Sequence, residues 1–98
     1  MAHSSKSASF LMERWIAEAA GGDADALYEL GVAFSTGTSG TPVDLIEAHK
    51  WFNLAALNGS SLAQDCRAEI ADEMNAREIA EAQRQARAWL AETSRRVA

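Results

Sequence analysis

Phe10, Leu11, Trp15 and Ala19 share one face at helical spacing, with Glu13, Arg14 and Glu18 around the rest, a pattern that predicts an amphipathic helix. Gly21-Gly22 stops it. Asp23 offers an N-cap, and Ala26, Leu27, Leu30, Gly31 and Phe34 mark a second helix over about residues 24–35. The stretch from Thr36 to Pro42 has the composition of a loop and no apolar anchor. A third helix opens at Asp44 and Glu47, spaced as a capping box, carries the stripe Ala48, Trp51, Phe52, Ala55 and Ala56, and stops at Asn58-Gly59. Leu62, Ala63, Cys66, Ile70 and Met74 place a fourth helix over about residues 61–74. Asn75 and Glu78 repeat the capping pair and open a fifth, running to about Thr93 behind Ile79, Ala82, Ala86, Trp89 and Leu90. No alternating strand pattern competes, so the expected fold class is all-α.

The third helix has a weaker echo upstream. Trp15, Ala19 and Ala20 precede Trp51, Ala55 and Ala56 by 36 residues, and Gly22 and Ala26 precede Gly59 and Ala63 by 37. A register of this length points to stacked helical hairpins. Alanine and glycine at positions 26, 31, 48, 55 and 56 remove bulk where helices approach, while Phe34 and Trp51 fill the space between hairpins.

These positions carry a resemblance. From Gly22 to Ala63 the chain resembles the Sel-1-like repeat, a branch of the tetratricopeptide superfamily, through Ala26, Leu30-Gly31, Phe34, Gly37, Val43-Asp44, Ala48, Trp51, Ala55-Ala56, Gly59 and Ala63. The resemblance implies a short right-handed solenoid of about five antiparallel helices, with one complete repeat at about residues 22–59. Helix one then stands as the second helix of a preceding repeat. Helices four and five form a degenerate final hairpin, in which Ala68 replaces Gly31 and Ala82 replaces Trp51. Residues 1–9 are Ser-rich and expected to form a disordered tail, leaving one domain over residues 10–98.

Charge narrows the function. The net charge of −5 argues against nucleic-acid binding. Between Glu13 and Glu73 eleven acids face Arg14, Lys50 and Arg67, whereas five arginines face Glu78, Glu81 and Glu92 beyond Asn75. The body is acidic and the last helix mildly basic. Lone Cys66 requires no oxidising compartment, and no segment reaches transmembrane length, so a cytoplasmic protein without a membrane span is expected.

Candidate chemistry is sparse. His49 has no second ligand at metal spacing and reads as a partly exposed helix residue; His3 falls in the tail. Cys66 reads as a small core residue, Ser35, Ser39, Ser60 and Ser61 lack a triad context, and the Gly37–Pro42 loop lacks the lysine of a phosphate-binding loop. No enzyme, metal or cofactor is expected.

The resemblance implies an adaptor that binds a protein or peptide on the surface lined by the first helix of each hairpin, here helices two and four. The candidate contacts are Asp25, Tyr28, Glu29 and Val32, then Asp65, Glu69 and Asp72 one repeat later, with Tyr28 and Val32 supplying apolar contact and the acids steering a basic or amphipathic segment. The alternative is a homo-oligomer or regulatory subunit that uses helix one, or the basic last helix through Arg77, Arg84 and Arg87, with Arg95-Arg96 beyond. Burying Trp51 is worth about 2–3 kcal/mol, so Trp51→Ala is expected to melt this small domain. A thermal midpoint unchanged within a few degrees, followed by circular dichroism, would count against the fold.

Overall fold

The computed structural model describes the backbone of residues 2–97 and the side chains of residues 9–94. Among these the chain forms helices α1 (Ala2–Ala20), α2 (Ala24–Thr36), α3 (Leu45–Leu57), α4 (Ser61–Ala71) and α5 (Ala76–Val97), with no strand. The helix expected from Phe10 therefore begins at Ala2, inside the segment assigned to a tail. The side chains of His3, Arg95 and Arg96 lie outside the described residues.

Short polar side chains set the boundaries. The Asp23 carboxylate accepts from the Ala26 N–H at 3.0 Å, Asp44 from Glu47 at 3.1 Å, and the Ser60 hydroxyl from Ala63 at 3.1 Å, each satisfying a donor the helix itself leaves free. The expected capping box is complete only at α5, where Asn75 and Glu78 bond each other's N–H groups at 2.8 and 2.9 Å. At α3 the Asp44 N–H donates instead to the Phe34 carbonyl, which frees the Glu47 side chain for Trp51 and Lys50. Gly37 closes α2 with φ of 73°, a conformation that favours glycine. The loop beyond it is held by hydroxyls. Thr41 Oγ1 donates to the carbonyls of Ala33 and Thr38, tying the loop to the end of α2 without an apolar anchor.

Helix α4 ends at Ala71, three residues before the expected Met74, because its last turn tightens: the N–H groups of Asp72, Glu73 and Met74 reach back only three residues, to Glu69, Ile70 and Ala71.

Helix α3 is the centre of the packing, touching α2, α4 and α5, while α1 packs on α2. Leu27 and Leu30 of α2, Phe52, Leu54 and Ala55 of α3, Ala63 of α4 and Ala86 of α5 are all buried. Trp51 meets Trp89 edge to face, with centroids 4.8 Å apart, a geometry worth about 0.5–1.5 kcal/mol beyond burial. Its indole N–H donates to Glu47 Oε1 at 3.1 Å, while the Lys50 ammonium bridges to the same carboxylate and sits 4.5 Å from the Trp51 ring centroid.

The last two helices depart from a hairpin. α5 packs along α3 and not along α4. One repeat after Leu27, Leu30 and Gly31 of α2, the chain carries Gln64, Arg67 and Ala68, so α4 lacks the apolar face and the close approach that join α2 to α3. The stripe of α5 turns instead to the Trp51 side of α3.

Gly31 sits directly against the Phe52 ring: a β-carbon there would lie no more than 2.9 Å from three ring carbons. Gly→Ala inside a helix ordinarily stabilises by up to about 1 kcal/mol, but here overpacking at about 1–3 kcal/mol decides the sign. Gly31→Ala should lower the thermal midpoint by several degrees, and Phe52→Leu in the same chain should return part of the loss. A midpoint raised by Gly31→Ala alone would contradict the packing.

Candidate protein-binding surface

The seven residues expected on the partner surface do not share one environment. Asp25 on α2 and Asp65 and Glu69 on α4 are exposed, and Glu29 is half-buried. Asp72 is exposed but lies just past the end of α4 rather than on it, in the tightened turn. None of these five carboxylates has an ion-pair partner among the described residues.

Tyr28 and Val32 are partly taken into the core. Both pack against the buried cluster, and the Tyr28 ring lies 5.8 Å from that of Phe52. Desolvation raises the Tyr28 phenol pKa above its usual value, and the Cys66 thiol of α4 raises it further. The side chain thus sits where α2, α3 and α4 converge, and offers a partner only its outer edge.

The alternative residues on α5 also divide. Arg84 grips Glu81 with two hydrogen bonds, at 2.9 and 2.6 Å. That contact, with help from Gln85, holds the Glu81 carboxyl down to about 2. Arg77 and Arg87 are exposed and have no ion-pair partner among the described residues.

The readings of two other residues change. Cys66 is half-buried as a packing residue beside Tyr28. His49 is not partly exposed but buried at 4% accessibility, and its Nδ1 has no hydrogen-bond partner among the described residues. His49 precedes Asn53 by one helical turn, and Asn53 accepts a hydrogen bond from the Arg67 guanidinium of α4. Both mark the face of α3 that meets α4.

On the far side, a groove of about 190 Å³ lies where the α1–α2 turn meets the C-terminal parts of α3 and α5, lined by Gly22, Leu54, Trp89 and Leu90 among others. Ser60 caps α4 and Ser35 donates to the Val32 carbonyl. Among the described residues no helix is long and apolar enough to cross a membrane.

Two helices packed through small residues and an aromatic ring, with neighbours stacked on either side, define an α-helical repeat protein. Residues 24–60 match the family model of the Sel1 repeat, so this segment is similar to a Sel1 repeat, and the all-helical fold is consistent with a tetratricopeptide-like helical repeat. The match coincides with the α2–α3 hairpin and its loops, two residues inside the expected start and one beyond the expected end. Sel1 repeats generally mediate protein–protein interaction. No curated protein and no solved structure matches the chain.

Burial holds the His49 pKa below its ordinary 6.5, and the positive charge of Arg67 lowers it further. Above pH 6.5 the imidazole is neutral folded and unfolded, and stability is unaffected. As pH falls below 6.5 the unfolded chain takes up a proton that the folded one resists, so stability drops until the folded value is passed. Urea unfolding at neutral and mildly acid pH should show this loss, and His49→Gln should diminish it. An equal acid loss in both proteins would remove His49 as its source.

Proposed function

We propose that this chain is a non-enzymatic protein-interaction module whose α2–α4 face receives a basic or amphipathic segment of a partner protein. The observation that carries the reading is the set of carboxylates at Asp25, Glu29, Asp65, Glu69 and Asp72, on and just beyond two neighbouring helices, none with an ion-pair partner among the described residues. Arg67 of α4 donates to the neutral Asn53 amide instead of pairing with one of them. Such a surface attracts a cationic segment over roughly a Debye length, about 8–10 Å at physiological ionic strength.

The outer edges of Tyr28 and Val32, with exposed Leu62, give the segment apolar contact between the charges. The acids then set encounter and orientation, and apolar contact sets residence.

The Glu29→Lys, Glu69→Lys double variant should lose about tenfold or more in affinity for Lys/Arg-rich amphipathic peptides at low salt. The thermal midpoint should stay within a few degrees, since neither side chain holds a core contact. Titration calorimetry with a peptide panel measures both the loss and its attenuation in salt. Peptide affinity equal to that of the unaltered chain would exclude this face.

A further inference from the structure

We propose that a second copy of this chain docks the outer flank of its α5 antiparallel along the open side of α4. The proposal rests on the reading that the α2–α4 face takes a basic segment, and it names that segment.

Helix α4 has no hairpin partner, because α5 leaves it for α3. Leu62, 56% exposed, therefore stands with Asp65 and Glu69 along one unopposed side of α4. On α5, Leu90, 40% exposed, borders the buried Ala82–Ala86 stripe and aligns with Arg87 and Gln83 on the flank beside it. The two stripes are mirror images in sequence. Asp65 and Glu69 lie 3 and 7 residues after Leu62, and Arg87 and Gln83 lie 3 and 7 residues before Leu90.

At a rise of about 1.5 Å per residue, Asp65 and Arg87 each fall about 4.5 Å from their leucine, and Glu69 and Gln83 about 10.5 Å. Antiparallel alignment sets leucine on leucine, the Arg87 guanidinium on the Asp65 carboxylate and the Gln83 amide donor on Glu69. These charges are available: neither Arg87 nor Asp65 nor Glu69 has an ion-pair partner among the described residues, whereas neighbouring Arg84 is held by Glu81. Within one chain the stripes stay apart, since α4 and α5 do not pack along each other.

One apolar contact with one ion pair predicts weak association, with Kd about 0.1–1 mM. Sedimentation equilibrium of the full chain, loaded to about 1 mM at about 20 mM ionic strength, should give an average mass above the 10.5 kDa monomer that falls towards it in high salt. Asp65→Arg alone and Arg87→Asp alone should each weaken association about tenfold or more, and the two together should restore it. Thermal midpoints of all three variants confine the comparison to assembly.

A wild-type chain monomeric throughout this range would overturn the proposal, as would a double charge swap assembling no better than either single variant. A monomer that still binds basic peptides through Glu29 and Glu69 removes the second copy and leaves the partner-binding reading intact. Assembly restored by the swap, in a chain that ignores such peptides, removes the general reading and keeps the self-contact.

Discussion

The absence of a side chain at Gly31 is the constraint on which the rest of the structure depends. It lets the Phe52 ring lie against the backbone of α2, and so lets α2 and α3 approach closely. At that separation the facing positions must also be small, and buried Ala26, Ala48 and Ala55 meet the requirement. The bulk displaced from this interface reappears on the Trp51 side of α3, where Trp51 and Trp89 pack together and the Glu47 carboxylate satisfies the buried indole N–H. Close approach between α2 and α3 and aromatic filling between α3 and α5 are two consequences of one distribution of volume.

That distribution also explains why the repeat stops. Where α2 has Leu27, Leu30 and Gly31, α4 has Gln64, Arg67 and Ala68, so a second tight hairpin would bury polar groups and force a methyl into the interface. α5 avoids both by crossing to α3. The result is an asymmetric module in which α3 is enclosed from three sides and α4 is held chiefly by Ala63, Ile70 and the Arg67–Asn53 hydrogen bond.

Helix identity and most helix boundaries were legible because they rest on local chemistry: Asp23, Asp44 and Asn75 cap helices that periodic apolar stripes already define. Which stripe meets which was less legible. The Ile79–Ala82–Ala86–Trp89 face of α5 is as compatible with α4 as with α3 when read alone, and the choice is made by the polar replacements on α4. His49 was misread for the same reason, since a polar residue beside a packing stripe looks solvated until a third helix covers it. The acids of α2 and α4 could be placed on helix faces from spacing, but not the partial loss of Tyr28 to the Phe52–Cys66 junction, which depends on how closely α4 approaches α2.

The carboxylates of the proposed interaction face are divided between a helix fixed in the core and a helix anchored lightly. Asp25 and Glu29 ride on α2, whose apolar face is fully enclosed; Asp65 and Glu69 ride on α4, whose buried apolar residues are Ala63 and Ile70. Local stability follows buried apolar contact, so α4 occupies the lower end of the range within this chain. A ligand that spans both helices binds the packed arrangement of α4 and not its detached form, and therefore stabilises the α3–α4 contact by mass action. On the proposed reading, binding and the integrity of the α3–α4 pair would be coupled through the Arg67–Asn53 contact and the buried His49 beside it, which gives these polar core residues a bearing on the surface.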